Sequence, residues 1–452
     1  MNAWQKMYQE KLTTADKAVK VVKDGDNVEY SHFVTLPYDL DKALAKRKKE
    51  LKHVHVRCNT LMFVPEVFQV DPKGEVFDMT DISFSAVTRG MAKNGIVNYN
   101  PLVYHELPLW YDNRIRGVDV LFLAVTPMDE NGFFNMSTTC SSTMDIIRCK
   151  GGTAKNLKVI LEVNRSLPFI HGENNIHISQ VDTIVESTAN PPLHAIPPVS
   201  GDETDMKIAK IIMNEMEDGA CLQLGIGGMP NLVGKMIAQS DLKDLGCHTE
   251  MFVDAYMDMF EAGRLTNNAK TLDKGKSTFT FAMGSERLYQ FMNNNPSMNA
   301  RSVTYTNDPH VIAQNDKVFS ICSCIAVDIQ GNISSESAGY RQISGTGGQL
   351  DFHYASFHSN GGKGFLCTHS TKKLKDGTVI SNIVPYFKVG TAITVPSNLV
   401  NYVVTENGIV NLKGLSLWER AEALIGLAHP DFREDLIKQA EIAGVWRRSN
   451  KR

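Results

Sequence analysis

The chain has 452 residues, of which 42% are hydrophobic and 21% are charged. This is ordinary globular usage, and it excludes a disordered, collagen-like or coiled-coil chain. The 47 basic and 50 acidic side chains leave a formal net charge of −3, so no overall field holds a nucleic-acid backbone or an anionic membrane. An anionic ligand must therefore be bound locally.

Helix and strand patterns alternate along the whole chain. Residues 4–22 carry apolar side chains at helical spacing, residues 28–33 alternate as in a strand, and residues 40–51 resume a charged helical pattern. Short apolar strands are predicted at residues 53–56, 118–125, 159–163, 220–224, 251–253, 318–327, 364–367, 392–395 and 402–404, with amphipathic stretches at residues 205–216, 231–239 and 416–428. The alternation predicts an α/β fold with mostly parallel sheets.

A proline-rich segment marks a domain boundary. Residues 189–200 contain four prolines in twelve positions, which neither a helix interior nor a central strand tolerates. The prediction is an N-terminal α/β domain over residues 1–190 and a C-terminal α/β domain over residues 201–452, although the length also fits three domains of about 150 residues.

The two halves share turns at similar spacings. Asp-Gly turns at residues 24–25 and 218–219 each precede a strand, and a proline opens a helix 13 and 12 residues after the Asp. The turns at residues 129–132 and 328–331 form a second such pair. Asp-Gly turns are common, so duplication and coincidence both stay open. Two similar α/β domains that face each other would leave a cleft between them.

The cysteines and the N-terminus indicate a reduced, cytoplasmic protein. The eight cysteines form no disulfide framework, and the only close pair, Cys322 and Cys324, fits neither a zinc knuckle nor a Cys-x-x-Cys motif. Residues 1–26 carry charges every few positions and lack the apolar core of a signal peptide, and no run of eighteen apolar residues occurs. We therefore expect cytosolic thiols and no membrane partner.

A glycine-rich turn at residues 222–231 is the most informative local pattern. An apolar strand runs into Gly225, Gly227 and Gly228, and Pro230 is suited to the first turn of a helix. Backbone N–H groups beside a helix N-terminus bind an anion or an oxyanion. The pattern fits neither a dinucleotide fingerprint nor a nucleoside triphosphate loop. The alternative is a tight strand-to-helix turn without a ligand.

Glu250 is a candidate nucleophile because it directly precedes a predicted apolar strand. A glutamate has a reference pKa of about 4.3, so it is ionised at neutral pH and forms an acyl intermediate without a separate base. The alternative is a solvated glutamate in a loop. The nucleophile hypothesis requires the glycine loop to lie at the same edge of the sheet.

A second glycine-rich region spans residues 345–364 around a predicted strand. Gly347, Gly348, Gly361 and Gly362 indicate close backbone approach to a ligand, and Lys363 is available for a phosphate. Glycine-rich hairpins are the alternative. Three histidines, His353, His358 and His369, show no ligand spacing, so no metal site is predicted, and no Gly-x-Ser-x-Gly elbow indicates a serine hydrolase.

Taken together, these segments resemble the acetyl-CoA hydrolase/transferase family, a branch of the glutamate-dependent CoA-transferases. The matching segments occur in the family's order at residues 225–231, 248–254, 345–352, 361–363, 370–371, 383–385, 404–408 and 428–433. The resemblance covers nearly the whole chain. It is strongest to members that act on butyryl-CoA and acetate and slightly weaker to those that act on 4-hydroxybutyrate.

The resemblance implies two similar α/β domains with the active site between them, and it implies a covalent mechanism. Glu250 would attack an acyl-CoA thioester to give an acyl-glutamyl anhydride and then a glutamyl-CoA thioester. A second family carboxylate maps to Glu406, which would position the nucleophile or the substrate carboxylate. No cofactor is implied other than the CoA thioester itself, which is a substrate.

The resemblance also gives the glycine segments a purpose. Backbone N–H groups at Gly225, Gly227, Gly228, Gly347 and Gly348 would stabilise a tetrahedral oxyanion or contact CoA, and Gly361, Gly362 and Lys363 would meet the CoA phosphates. The basic run at residues 372–375 is a further candidate for the phosphates, with a solvated turn as its alternative.

The expected partners are an acyl-CoA and a short-chain carboxylate, and similar enzymes are usually homo-oligomers. The sequence departs from many relatives at Asn407, where they have Tyr, and near Ser397, where they have Arg. These departures affect the choice among butyrate, 4-hydroxybutyrate and propionate. Two alternatives stay open, namely an acyl-CoA hydrolase with the same glutamyl chemistry and a CoA-binding relative without turnover.

Overall fold

The structure is a computed structural model that describes residues 2–112, 117–197 and 199–446. The chain forms two compact units. The first comprises Met1–Pro197, Glu250–Val253 and Thr278–Thr306, and the second comprises Pro198–Thr249, Asp254–Ser277 and Asn307–Arg452. Each unit thus contains segments that are distant in sequence. The predicted contiguous domains, 1–190 and 201–452, stay a prediction.

The N-terminal half contains the first series of helices and strands. These are α1 (Ala3–Lys11), α2 (Ala15–Ala18), β1 (Asn27–Tyr30), α3 (Tyr38–Ala45), β2 (Val54–Arg57), α4 (Glu66–Val70), β3 (Phe77–Asp81), α5 (Ala86–Ala92), β4 (Val97–Tyr99), α6 (Leu107–Asp112), β5 (Val120–Val125), β6 (Phe133–Asn135), α7 (Thr143–Cys149), β7 (Lys158–Val163), β8 (Asn175–His177) and β9 (Thr183–Glu186).

The C-terminal half continues the alternation. Its elements are α8 (Glu203–Met213), β10 (Cys221–Leu224), α9 (Gly228–Gln239), β11 (Gly246–Phe252), α10 (Asp254–Glu261), β12 (Ser277–Ala282), α11 (Glu286–Met292), β13 (Met298–Ala300), α12 (Val303–Thr306), α13 (Pro309–Ile312), β14 (Val318–Ser323), β15 (Ala326–Asp328), β16 (Ile333–Ser334), β17 (Ser337–Ala338), β18 (Arg341–Gln342), α14 (Gln349–His358), β19 (Lys363–Cys367), β20 (Thr371–Lys373), β21 (Val379–Ser381), β22 (Ile383–Val384), β23 (Tyr402–Thr405), β24 (Gly408–Asn411), α15 (Leu417–Leu427) and α16 (Pro430–Ile442).

The first unit is built on a parallel sheet with the strand order β4–β3–β2–β1–β5–β7–β9. Its neighbouring strands are all parallel, with Val28 opposite Val56 on one side and opposite Val120 on the other. Alternate strand residues such as Val28, Tyr30 and Phe122 fill one core cluster with the flanking helices. The strand order reverses between β1 and β5, and ligands of open α/β sheets bind at the carboxyl ends of the strands at such a point.

The second unit repeats this arrangement. Its main strands follow the order β11–β10–β14–β19–β23–β24, and all neighbours are parallel except the terminal pair β23–β24. The order reverses between β10 and β14. In each unit an Asp-Gly turn, at residues 24–25 and 218–219, leads into the strand next to the reversal.

The predicted α/β class with largely parallel sheets is thus confirmed, with local differences. The predicted helix at residues 4–22 is two helices, and the predicted strand at residues 318–327 is two strands. The predicted strand at residues 392–395 provides a single bridging residue, Val395. The glycine-rich region at residues 345–364 encloses helix α14, so the prediction of a strand or hairpin there is wrong. No helix in the described parts of the chain is long and apolar enough to cross a membrane.

Candidate active site

The glycine loop after β10 has a conformation that requires glycine at several positions. Gly225 donates its N–H to the carbonyl of Ile321 on β14 at 2.8 Å, and a Cβ at Gly225 would lie 3.2 Å from that oxygen. Gly227 has φ 122°, which side-chain-bearing residues rarely adopt, and it is the N-cap of α9. A Cβ at Gly228 would meet the carbonyl oxygen of Ser200 at 3.0 Å. The predicted strand–glycine–helix turn is therefore confirmed.

The N-terminus of α9 is not capped by a side chain. Gly228 and Met229 are its first two residues, and Pro230 in the third position has no N–H. The first-turn N–H groups of a helix point along its axis, where they stabilise negative charge together with the helix dipole. Anion binding by this loop stays a prediction, which the uncapped helix N-terminus supports.

A second helix N-terminus has a similar construction. Gly347 has φ 53°, and Gly348 is the N-cap of α14, which also lacks a side-chain cap. Gln349, the first residue of α14, donates from its side chain to the carbonyl of Ser323 at 2.9 Å. Ser323 ends β14 at the carboxyl edge of the second unit's sheet. This link ties the α14 N-terminus to the edge that carries the glycine loop.

Glu406 follows β23 at that same carboxyl edge. Its carboxylate accepts hydrogen bonds from the backbone N–H of Ser370, at 2.9 Å, and from the Ser370 hydroxyl. Ser370 lies just beyond the end of β19, the parallel neighbour of β23. The carboxylate therefore has one fixed orientation. The second unit brings Glu406, Gly225, Gly227 and Gly228 to one edge of its sheet.

His369 links this edge to the first turn of α8. Its Nε2 lies 2.8 Å from Oδ1 of Asp205 and 3.8 Å from Oδ1 of Asp202. Candidate ligand atoms of these three residues lie within 4.8 Å of one another. The two aspartates already form the capping box of α8, which accounts for their position. The absence of a metal from the site stays a prediction.

A cavity of about 390 Å³ opens at the same edge. Its walls include Met229 from the α9 N-terminus, His369, and two lysines of the basic run, Lys372 and Lys373. The cavity is therefore bordered by an uncapped helix N-terminus, by the side chains of two lysines and by one carboxylate, that of Asp205, which pairs with His369. This combination suits an anionic group such as a phosphate.

Gly361, Gly362 and Lys363 lie elsewhere. Lys363 begins β19 opposite Phe319, whereas the glycine loop follows the other end of the parallel strands. Lys363 is paired with Glu215 at 3.1 Å and Glu217 at 3.3 Å, and although burial alone would lower its pKa, these carboxylates raise it. Lys363 therefore lies at the amino edge, where two glutamates balance its charge, and its contact with CoA stays a prediction.

The two glycines before Lys363 have structural reasons of their own. Gly361 has φ 71°, and a Cβ at Gly362 would lie 2.1 Å from the carbonyl oxygen of Ser356. They close the tight connection between α14 and β19. Gly361 is thus required by its positive φ and Gly362 by a close backbone approach within the protein, and their contact with CoA stays a prediction.

Glu250 lies in β11 and is half-buried, so the alternative of a solvated loop residue is wrong. In the second unit β10 and β11 are parallel, with Leu222 opposite Cys247. Thr249, directly before Glu250, therefore lies at the carboxyl edge with the glycine loop. At Glu250 the chain passes into the first unit. Its role as nucleophile, like the roles of the glycines and Glu406, stays a prediction.

The sequence analysis did not single out Tyr104, which is buried in the first unit. Burial raises the pKa of its hydroxyl well above the ordinary value, and the negative charge of Glu250 raises it further. Tyr104 was one tyrosine among 13, and no local pattern distinguishes it.

The two departures from the family pattern have local explanations. Asn407 donates from its side chain to the carbonyl of Leu427 at the end of α15, at 3.0 Å. Near Ser397, where relatives have Arg, a different arginine reaches the backbone: Arg420 from α15 donates to the Ser397 carbonyl at 2.7 Å. Both side chains hold α15 in place.

Comparison with known proteins defines the class. The N-terminal domain of the acetyl-CoA hydrolase/transferase family matches residues 1–192, and the C-terminal domain of that family matches residues 284–440. The chain belongs to the acetyl-CoA hydrolase/transferase family, and it is an enzyme of the CoA-transferase type. The resemblance inferred from the sequence motifs is thereby confirmed.

Individual relatives cover almost the full length. The chain is 46% identical to the butyryl-CoA:acetate CoA-transferase of Anaerostipes caccae, over 99% of this chain and 100% of the relative. It is 38% identical to the 4-hydroxybutyrate coenzyme A transferase of Clostridium kluyveri, over 96% and 98% respectively. Among solved structures, RipA from Yersinia pestis matches with a TM-score of 0.88 and 37% identity, over 98% of this chain and all of that one.

Proposed function

We propose that this enzyme transfers CoA from a short-chain acyl-CoA, in the first place butyryl-CoA, to acetate. The 46% identity to a butyryl-CoA:acetate CoA-transferase over the full length is the observation that carries the proposal. Propionate and 4-hydroxybutyrate are the alternative acyl groups, the latter because of the 38% identity to a 4-hydroxybutyrate coenzyme A transferase. No cofactor takes part other than the CoA thioester that is the substrate.

The proposed reaction uses the Glu250 carboxylate as nucleophile. It attacks the thioester carbonyl of butyryl-CoA, the CoA thiolate leaves, and a butyryl-glutamyl anhydride forms. The thiolate then attacks the glutamyl carbonyl, so that butyrate departs and a glutamyl-CoA thioester remains. Acetate attacks this thioester and releases the thiolate, which takes the acetyl group from the resulting anhydride and restores the free Glu250 carboxylate.

Each attack creates a tetrahedral oxyanion that needs hydrogen-bond donors. We assign this role to the backbone N–H groups of the glycine loop at the start of α9, with Gly348 at the start of α14 as a second source. The uncapped state of both helix N-termini supports the assignment. Fixed donors of this kind stabilise the charge that develops during the reaction without having to reorient.

Glu406 is assigned to orienting a substrate. Its two hydrogen bonds from Ser370 hold the carboxylate at the carboxyl edge of the second unit's sheet. The phosphates of CoA are assigned to the cavity lined by Lys372 and Lys373. We further propose a cytosolic homo-oligomer. Eight cysteines without a disulfide support the cytosolic location, and light scattering of the purified protein measures the assembly.

The defining experiment compares acyl exchange with hydrolysis. Purified enzyme with butyryl-CoA and acetate should form acetyl-CoA and butyrate in equal amounts, and it should release little free CoA thiol when acetate is omitted. Glu250→Gln should abolish exchange, whereas Glu434→Gln, on the exposed side of α16, should leave it unchanged. Free thiol released without acetate as fast as exchange proceeds with it would identify an acyl-CoA hydrolase.

Chemical trapping tests the covalent intermediate. After incubation with butyryl-CoA, borohydride should reduce a glutamyl thioester, and peptide mapping should locate the modified residue at position 250. Modification at another carboxylate would refute the role of Glu250. The absence of both exchange and modification, with CoA still bound, would indicate a binding protein without turnover.

A further inference from the structure

A buried carboxylate in the second unit holds the segment that leads into α14. Glu336 lies between β16 and β17 and is 5% exposed. Its Oε2 accepts a hydrogen bond from the Thr346 hydroxyl at 3.1 Å, and its Oε1 accepts one from the Thr394 hydroxyl at 3.3 Å. A buried carboxylate needs such donors, because its desolvation is otherwise costly. The side chain of Glu336 therefore joins two segments that are distant in sequence.

The Thr394 side of this bridge is fixed to β16. Thr394 is buried and donates its backbone N–H to the carbonyl of Ile333 at 2.8 Å. Its hydroxyl accepts at 2.9 Å from the N–H of Ser335, the residue directly after β16. Glu336 follows Ser335 in the chain, so the carboxylate and its partner Thr394 are tied to the end of the same strand. One oxygen of Glu336 is thus anchored, and the other binds Thr346.

The backbone of Glu336 holds the start of the segment that contains Thr346. Its carbonyl oxygen accepts from the N–H of Ile343 at 2.7 Å and from the N–H of Ser344 at 3.0 Å. Residues 343–346 are therefore attached to one residue at both ends, through the main chain at the start and through the side chain of Thr346 at the end. A loop held at both ends keeps fewer conformations than a loop held at one.

Thr346 transmits this attachment to the N-terminus of α14. Residues 345–348 read Gly-Thr-Gly-Gly, so Thr346 is the only one of the four with a side chain. Glycines leave the backbone free to adopt many conformations, and Gly347 uses that freedom at φ 53°. The carbonyl of Thr346 also accepts from the N–H of Gln349, the first residue of α14, at 3.3 Å. Glu336 thus reaches the start of α14 through a single residue.

We propose that Glu336 is a positioning residue for acyl exchange, and that it fixes the direction of the Gly348 N–H by holding Thr346. The inference rests on the proposed function, in which this N–H stabilises the oxyanion. A donor that is fixed before the reaction needs no reorganisation when the negative charge develops, whereas a donor on a loose glycine segment must be ordered in each turnover. Glu336 acts through Thr346 and needs no contact with the substrate.

The decisive variant is Thr346→Val, which keeps the branched shape of the side chain and removes the hydroxyl that Glu336 binds. We expect kcat for acyl exchange to fall about 10-fold, less than the roughly 100-fold that the loss of a whole oxyanion donor costs. KM for butyryl-CoA should change less than about two-fold, because the affected donor acts in the transition state. Thr346→Ser keeps the hydroxyl and should therefore retain most of the wild-type kcat.

The matched control is Thr266→Val in the same unit. Thr266 is partly exposed, as Thr346 is, and its hydroxyl donates to the carboxylate of Asp244 at 3.0 Å. Asp244 precedes β11 and so lies at the amino edge of the sheet, away from the glycine loop. Both variants lose one hydrogen bond to a carboxylate and should lose similar thermal stability, but only Thr346→Val should lose kcat. Equal kcat values in the two variants, or an equal loss in Thr346→Ser and Thr346→Val, would overturn the inference.

A double-mutant cycle tests whether Glu336 acts through Thr346. Glu336→Gln replaces the carboxylate by an amide of the same size and should lower kcat, and adding it to Thr346→Val should lower kcat no further. Independent effects that multiply in the double variant would contradict the proposed route. Should Glu336→Gln not fold, the comparison of Thr346→Val with Thr346→Ser and Thr266→Val still decides the inference. The proposed function is tested separately, because wild-type exchange together with an inactive Glu250→Gln supports it whatever Thr346→Val does.

Discussion

At Gly227 the backbone has φ 122° and ψ −179°, a combination that only glycine adopts without strain. A side chain at Gly227 would strain the backbone in the loop that connects β10 to α9. A substitution there therefore acts on stability and, through the orientation of the following N–H groups, on oxyanion stabilisation.

We predict that Gly227→Ala lowers the free energy of unfolding by about 1–3 kcal/mol. Acyl exchange should fall as well, on the order of 100-fold if one donor is lost. Chemical denaturation and steady-state kinetics measure the two effects.

Gly426→Ala is the matched control for this substitution. Gly426 lies in the exposed part of α15, has no positive φ, and no atom lies within 4 Å of a Cβ built there. Alanine should stabilise this helix by about 0.5–1 kcal/mol and leave exchange unchanged. Equal destabilisation of both variants would contradict the role of the Gly227 conformation.

Glu162 gives a prediction about pH. Burial raises its pKa to about 7, against the hydrogen bonds that it accepts from the backbone N–H groups of Leu40 and Asp39. Between the unfolded value near 4.5 and about 7, the folded state binds more protons than the unfolded state. Stability from this group must therefore be greatest at low pH and must decrease as pH rises through this window.

We predict that Glu162→Gln, which keeps an acceptor for both N–H groups, stabilises the enzyme at pH 8 by roughly 1–3 kcal/mol. The difference from wild type should vanish near pH 4.5. Urea unfolding at both pH values checks this prediction. A difference in unfolding free energy between Glu162→Gln and wild type that does not change with pH would contradict the raised pKa of Glu162.

The residue hardest to foresee in sequence was Glu29. Strand β1 alternates, so the sequence assigns Val28 and Tyr30 to a core and Glu29 to the solvent face. In the structure both faces of β1 are covered, and Glu29 is only 1% exposed. A parallel sheet is buried on both faces. A buried charge then needs partners, here His32 and Arg57, and the alternation of residues along β1 does not indicate them.

At the scale of elements, the two edges of the second unit's sheet differ in chemistry. The carboxyl edge has the uncapped N-terminus of α9 and a cavity bordered by Lys372 and Lys373. The amino edge has Lys363, whose charge two glutamates already neutralise. A bound phosphate gains more at the first edge because its charge is not yet compensated there.

We predict that Lys372→Met combined with Lys373→Met raises KM for butyryl-CoA several-fold and makes it less sensitive to salt. Lys363→Met removes the ammonium, which lies 5.2 Å from the centroid of the Phe319 ring, and should leave KM within about two-fold of wild type. Initial rates at two ionic strengths measure both effects. A larger rise in KM for Lys363→Met than for the double variant would indicate that the phosphate binds at the amino edge.

Most elements of the fold were predictable from the sequence, and the exceptions have physical causes. Apolar strands such as residues 118–125 and 220–224 stand out because parallel strands are buried on both faces. Helix α14 was missed because glycines flank it and because its polarity pattern is reversed: Tyr354 and Phe357 are exposed, whereas Asp351 and His353 are buried. The edge of the sheet on which Lys363 lies depends on the direction of β19, and the residue composition of this segment does not predict that direction.

At the scale of the whole molecule, the first unit depends on a segment from the second half of the sequence. Thr278–Thr306 belongs to it, and hydrogen bonds join this segment to residues before position 197. Ala282 donates to Thr138 at 2.9 Å, Ala300 donates to His171 at 2.9 Å, and Asn294 donates to Phe169 at 2.7 Å. The proline-rich segment at residues 189–200 ends the first series of strands, and further segments of the first unit follow it in sequence.

We therefore predict that a fragment of residues 1–197 does not form the first unit by itself. Without residues 278–306, the ring of Phe33 loses its stacking partner Phe281, whose centroid lies 3.7 Å away, and the Cys140 and Ser141 N–H groups lose the Thr280 carbonyl. Buried apolar and polar groups would then face solvent or stay unpaired. Circular dichroism with thermal unfolding should show a less cooperative transition than the intact chain gives, and coexpression with residues 198–452 should restore the transition. A fragment that unfolds as cooperatively as the whole protein would show that the first 197 residues suffice for the unit.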